Sequence, residues 1–197
     1  KYVRQDVNKA IHYYTLAAKQ YFVKSLYNLG IIYFHKNDFY YDIQKSIYYL
    51  SLAANQNDVY SQNFLGMIYL QGINVPKDIK KALSYLELSA NQSDPNSITK
   101  LAEIFYEGKY VKRNVKKSIQ FLKKAAEQHY PKSIYLLGII YYEGKYVKQN
   151  INCAIHYFKL AAKQNYLESL YILGMIYSDG KFVEKNNDLA MEHFKIA

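Results

Sequence analysis

Leucine followed by a small residue returns every 36 residues, at Leu29-Gly30, Leu65-Gly66, Leu101-Ala102, Leu137-Gly138 and Leu173-Gly174. An aromatic stands three positions beyond each small residue: Tyr33, Tyr69, Phe105, Tyr141 and Tyr177. A small pair keeps the same register at Ala17-Ala18, Ala53-Ala54, Ser89-Ala90, Ala125-Ala126 and Ala161-Ala162. Units of this length cannot bury their apolar faces alone, so a fixed period means a solenoid of stacked repeats. Function is then expected along a repeated surface rather than in one cleft.

Each period reads as two helices. Leu26, Leu29, Ile32 and Tyr33 fall at helical steps of three and four, and so do Ile43, Ile47 and Leu50 in the second half. These halves are called helix A and helix B. Residues 23–58, 59–94, 95–130 and 131–166 are full repeats, 1–22 is the trailing helix of a truncated repeat, and 167–197 is a last, clipped one. The chain opens on Lys1 and stops inside a helical pattern, so further repeats, a cap or another domain are expected beyond it, with ends that fray or self-associate.

The boundaries are written in side-chain chemistry. Asp6, Asp42, Asp78, Asn114, Asn150 and Asn186 share the slot before helix B, where a short side-chain oxygen can accept an N–H of the first turn. Gly72, Gly108, Gly144 and Gly180 close helix A in the left-handed region. The first unit has Lys36 there, which a left-handed backbone would penalise by about 1–2 kcal/mol, so that loop should take another path. Pro95 and Pro131 suit the first turn of helix A. The glycines after leucine, the alanine pairs and the column Ser25, Ser61, Ser97, Ser133 and Ser169 allow close helix approach. The Tyr33 column is expected to pack in the core. Phe39, Val75, Val111, Val147 and Val183 should tuck the A–B loop onto the next unit.

One full stretch reads Ser133, Leu137-Gly138, Tyr141, Gly144, Val147, Asn150, Ala154 and Ala161-Ala162. This pattern resembles the SEL-one-like repeat family, relatives of the tetratricopeptide repeat with a longer A–B loop. The resemblance covers essentially the whole chain. It implies an all-α, right-handed α-solenoid superhelix of helix–turn–helix repeats, serving as a protein-interaction scaffold or adaptor. The sequence departs from the family pattern in two ways. Serine replaces alanine at the start of helix A, and the glycine after helix B is Tyr21, Asn57, Ser93, His129 or Asn165. The B–A turn should therefore differ in detail. Some bacterial relatives carry a disulfide in each repeat and are linked to β-lactam binding, but this chain lacks those cysteines.

Little in the chain suggests catalysis. Its glycines follow the repeat rather than a nucleotide-binding fingerprint, and no Gly-x-Ser-x-Gly elbow or His-Glu-x-x-His pair occurs. No cofactor or metal is expected. Cys153 alone builds no disulfide framework, favours the cytoplasm, and occupies a slot held elsewhere by Lys9, Lys45, Lys81 and Lys117. A helix N-terminus could lower its pKa, although an incidental cysteine is the simpler reading. No apolar run is long enough for a membrane helix.

In tetratricopeptide arrays helix A lines the concave face. By that analogy a groove for a peptide or protein would be lined by Tyr27, Phe34, Asn63, Met67, Tyr106, Tyr135, Ile139, Tyr142, Tyr171 and Met175. The alternative is that a tight superhelix buries them between repeats. Lys109, Lys112, Arg113, Lys145, Lys148 and Lys181 form a basic loop ridge, beside the acidic column Glu107, Glu143 and Asp179. With a net charge of +10, the ridge suits an acidic partner. The second functional reading is RNA binding by a helical-repeat array, with aromatic and basic residues holding a single strand.

Overall fold

The structure, a computed structural model, describes residues 6–35 and 39–197. Among these, eleven helices form and no strand. In order they are α1 (Val7–Ala18), α2 (Val23–Phe34), α3 (Ile43–Asn55), α4 (Val59–Gln71), α5 (Ile79–Asn91), α6 (Pro95–Glu107), α7 (Val115–Glu127), α8 (Pro131–Glu143), α9 (Ile151–Ala162), α10 (Leu167–Asp179) and α11 (Asn187–Ile196). Even-numbered helices are A and odd-numbered ones B. The chain forms two compact units, dividing between Ser97 and Ile98 within α6.

All six expected caps form. Asp6, Asp42, Asp78, Asn114, Asn150 and Asn186 each accept the backbone N–H three residues on, at 2.9–3.1 Å. Five of these residues also close the A–B loop. The backbone N–H groups of Asp42, Asp78, Asn114, Asn150 and Asn186 donate to the carbonyls of Tyr33, Tyr69, Phe105, Tyr141 and Tyr177. One residue thus starts helix B and ties it to the aromatic column of helix A. Asp58 and Asp94 cap helices A in the same manner, through the N–H groups of Ser61 and Ser97.

Gly72, Gly108, Gly144 and Gly180 are left-handed, with φ between 63° and 71°. Their N–H groups return to Ile68, Ile104, Ile140 and Ile176. The expectation for Lys36 lies outside the described residues. The B–A turns keep a common form despite the missing glycines. Tyr21, Asn57, Ser93, His129 and Asn165 adopt φ between 57° and 68°. Around them Phe22, Asp58, Asp94, Tyr130 and Tyr166 donate to Ala17, Ala53, Ser89, Ala125 and Ala161. This is the Schellman pattern, which satisfies the last carbonyls of helix B and here forces side chains into a backbone region suited to glycine.

The core is the A–B seam. Leu29, Leu65, Leu101, Leu137 and Leu173 are fully buried, as are Leu50, Leu86, Leu122 and Phe158. A Cβ on Gly30 would lie 2.5 Å from Leu50 Cγ, and one on Gly138 2.5 Å from Phe158 Cε1. Helix B therefore rests directly on the glycine backbone. Ser46 strengthens one such crossing by donating its Oγ to the Gly30 carbonyl at 2.7 Å.

The loop valines pack differently from expectation. Val75 rests on a cluster of Leu50 and Ala54 from the preceding repeat and Leu65 and Ile68 from its own helix A. Val147 packs on a cluster of Ala102 and Leu122 from the preceding repeat and Leu137 and Ile140 from its own helix A. Phe39 does not tuck in; it is 97% exposed, with its ring edge-on to Tyr40.

Candidate functional site

The helix-A column that was to line a groove makes contacts from one repeat to the next. Tyr27 meets Tyr60 with ring centroids 6.1 Å apart, and Tyr135 meets Tyr166 at 5.3 Å. Asn63 Nδ2 donates to Asp94 Oδ2 at 3.2 Å and to Ser97 Oγ at 2.7 Å. Thr99 Oγ1 and Ser133 Oγ lie 2.6 Å apart. The same register position thus reads the following helix A, through aromatic contact or hydrogen bonding according to the residues present. Phe34 packs edge-on against Phe64 at 4.7 Å. Tyr142 meets Phe158 and Phe182. Met67 and Ile139 are half-buried, whereas Tyr171 and Met175 on α10 are exposed.

Two candidates do come together. Tyr135 and Tyr171 line one open hollow of about 610 Å³ with Leu167, Glu168, Ile172 and Phe194. Burial, and then the charge of Glu168, raise the Tyr135 pKa.

Tyr106 is held by its hydroxyl, which donates to Glu143 Oε2 at 3.1 Å. Burial and this hydrogen bond push its pKa up to about 12. Glu103, its neighbour on α6, faces two lysines: Lys100 by a short hydrogen bond and Lys132 at 3.0 Å. Burial alone would raise the Glu103 pKa, but hydrogen bonds from Lys100 and Lys132 outweigh it and hold the carboxyl below its ordinary value. The stabilisation from this triad is therefore complete above the unfolded value of about 4.3, and is lost as pH falls through the lower folded value. Glu103→Gln should remove that part of the acid dependence, measured by urea unfolding between neutral and acidic pH. An unchanged acid limb would show that Glu103 is not coupled to folding.

The basic ridge is partly committed to local structure. Arg113 donates to the Tyr106 and Glu107 carbonyls at 3.1 and 3.0 Å, and its guanidinium lies 4.1 Å from the Tyr146 ring centre. Gln149 does the equivalent work one repeat later, donating to the Tyr142 carbonyl at 2.7 Å. Lys109, Lys145 and Lys181 sit over the adjacent rings of Tyr110, Tyr146 and Phe182. Lys112 and Lys148 are exposed.

In the Tyr33 column Phe105 and Tyr177 are buried, as expected, and Tyr33, Tyr69 and Tyr141 are half-buried. Each member stacks almost parallel on an aromatic of helix B: Tyr33 on Tyr49, Tyr69 on Tyr85, Phe105 on Phe121, Tyr141 on Tyr157 and Tyr177 on His193. Lys45, Lys81 and Lys117 place their ammonium groups over the first three of these helix-A rings. The sequence reading did not find this pairing, although the helix-B aromatics recur with the same period. Cys153 replaces the lysine in the Tyr141–Tyr157 repeat. Burial raises its pKa against the opposing charge of Lys123, so it is not the activated thiol that a helix N-terminus could have produced.

Among the described residues no cluster of His, Cys, Asp and Glu is arranged to hold a metal ion, and no helix is long and apolar enough to cross a membrane. The Sel1 repeat profile matches residues 1–22, 23–58, 59–94, 95–130, 131–166 and 167–197. The chain belongs to the Sel1 repeat family. Its Sel1 architecture is also that of solved structures, and its fold is the α-solenoid. A Sel1 repeat protein from Oxalobacter formigenes is 25% identical with a TM-score of 0.84, over 98% of this chain and 80% of that one. The protective antigen c5321 of uropathogenic Escherichia coli, with an SLR fold, is 26% identical with a TM-score of 0.86, over 94% and 40%. Helicobacter pylori cysteine rich protein B is 28% identical with a TM-score of 0.54, over 69% and 98%. Comparison with curated protein sequences gives no match. Sel1 repeat proteins generally mediate protein–protein interactions, and the scaffold is typically non-catalytic.

Proposed function

We propose that this Sel1 repeat chain is a non-enzymatic scaffold that captures a peptide or protein through the helix-A residues of its second unit. The hollow shared by Tyr135 and Tyr171 carries this reading. It offers two tyrosines, with Leu167, Ile172, Phe194 and the last residue, Ala197, as apolar wall and Glu168 as a polar residue among them. Aromatic side chains are favoured anchors because they bring large contact area at small entropic cost. Leu167, Tyr171 and Met175 lie four residues apart on α10 and are exposed, on the face by which the earlier helices A meet the following repeat. The partner is then a segment with bulky apolar side chains, for which Glu168 disfavours an acidic neighbour. The exposed lysines of the loop ridge are available to an acidic region of the same partner.

Tyr171 gives the cleaner test of the two tyrosines. Tyr135 also packs against Phe158 and Tyr166, so truncating it disturbs the fold as well as the surface. Tyr171→Ala should remove about 1 kcal/mol of ring contact with Phe194 and leave the helices folded. A displayed peptide library selected on the wild-type chain should lose most of its retained sequences on Tyr171→Ala. Selection of the same peptides by both proteins would refute the hollow as the capture site.

A further inference from the structure

A second pocket, of about 210 Å³, lies in the second unit among α6, α7 and α8. Its wall is apolar: Ala102, Leu122, Leu136, Ile139 and Ile140 line it, together with the ring-bearing Tyr106. Ser118 on α7 also lines it, fully buried, and its Oγ meets no hydrogen-bond partner among the described residues. The register-equivalent Ser46 has a partner, the Gly30 carbonyl across the seam. In this repeat the position of Gly30 is taken by Ala102. An unmet hydroxyl costs the fold its desolvation, so a visiting group that bonds to it recovers that loss. At the mouth, Glu103 is already answered by Lys100 and Lys132, whereas Glu107 is exposed and forms no ion pair among the described residues.

We infer that this pocket takes the tyrosine side chain of a protein partner, with a lysine or arginine next to that tyrosine. The inference rests on the scaffold reading above but uses a different site. The volume accommodates a six-membered ring. The apolar wall binds its faces, and a phenol at the far end supplies the partner that Ser118 lacks. Phenylalanine fills the same space but leaves Ser118 unmet. The Glu107 carboxylate favours a cation at the entrance and disfavours a second carboxylate.

Methyl resonances of Leu136, Ile139 and Ile140 report occupancy directly. N-acetyl-tyrosyl-lysine amide should shift them saturably, about threefold or more tighter than the phenylalanyl-lysine peptide, the scale of one hydrogen bond. The tyrosyl-glutamate peptide should bind more weakly than tyrosyl-lysine. Ser118→Ala should erase the preference for tyrosine over phenylalanine. That variant is expected to fold, because alanine already stands at the equivalent positions Ala82 and Ala154. Glu107→Gln, on the surface, should erase the preference for lysine over glutamate. Absence of saturable shifts at these methyls, or equal binding of tyrosine and phenylalanine peptides by the wild type, would overturn the assignment. So would tighter binding of tyramine than of the peptide, since it would point to a free small molecule. Loss of capture by Tyr171→Ala with normal shifts here would separate the two sites, and failure of either test leaves the other standing.

Discussion

Phe158→Ala will destabilise the second unit by about 3–5 kcal/mol, because it empties a fully buried aromatic site. Phe158 belongs to the cluster of Ala154, Ile155, Leu173, Ile176, Tyr177 and Ala190, with Tyr135 and Tyr142 packed around it. Its ring also rests on the bare backbone of Gly138. Two repeats share this one side chain, and small shifts of α8 or α10 cannot refill the space. Urea unfolding followed by near-ultraviolet circular dichroism would register the loss, and a cost below about 1 kcal/mol would contradict the packing described. One repeat shows that alanine and leucine can face each other at this crossing, Ala102 on α6 with Leu122 on α7, although leucine also faces glycine at Gly30–Leu50 and Gly66–Leu86. Gly138→Ala alone sets a Cβ 2.5 Å from Phe158 and should be destabilising. Combined with Phe158→Leu, it should recover part of that loss, so the two changes are coupled rather than additive.

Tyr21→Gly, Ser93→Gly and His129→Gly, introduced together, will stabilise the chain by roughly 3 kcal/mol, about 1 kcal/mol for each relieved left-handed residue. All three hold φ between 58° and 68° in a turn whose hydrogen bonds are complete. Glycine keeps those bonds and removes the Cβ clash. Its greater freedom in the unfolded chain takes back part of the gain, which is why the net figure lies at the lower end of the left-handed penalty. Asn57 and Asn165 occupy the same turn, but asparagine tolerates this region, so replacing them should matter less. For a chain of this length the rise in Tm should be about 6–12 °C. Repeat arrays can melt in parts, so hydrogen exchange at α1, α2, α5, α6, α7 and α8 should show whether the gain is local to the edited turns. A Tm unchanged by all three substitutions would mean that these turns are not strained.

How far the sequence carried the interpretation depends on the kind of contact. The 36-residue period, the Asp and Asn caps, the left-handed glycines and the Gly-on-helix crossings were all legible. Each is a local rule: a hydrogen bond three residues away, a backbone angle, or a side chain too small to obstruct. The relation between repeats was not legible. Periodicity states which positions are equivalent but not which neighbour covers each one. Hence Tyr27, Asn63 and Tyr135 could be listed as one column without revealing that each leans on the following helix A. Val75 and Val147 could be read as loop anchors without revealing that the clusters they cover include side chains of the preceding repeat. The stacked pairs Tyr33–Tyr49 and Tyr141–Tyr157 were hidden for the same reason, since both columns were visible but not their rotation about the helix axes.

By itself, then, the sequence determined the family, the helical hairpins, their ends and the residues at which helices A and B touch. Those features follow from hydrogen bonds and sterics spanning a few residues or repeated in register. Only the tertiary structure decided which aromatic side chains pack from one repeat to the next. It also placed a buried, unmet Ser118 on the wall of a pocket. Such outcomes depend on the angle and spacing at which neighbouring hairpins meet, and a one-dimensional repeat does not encode these in any single position.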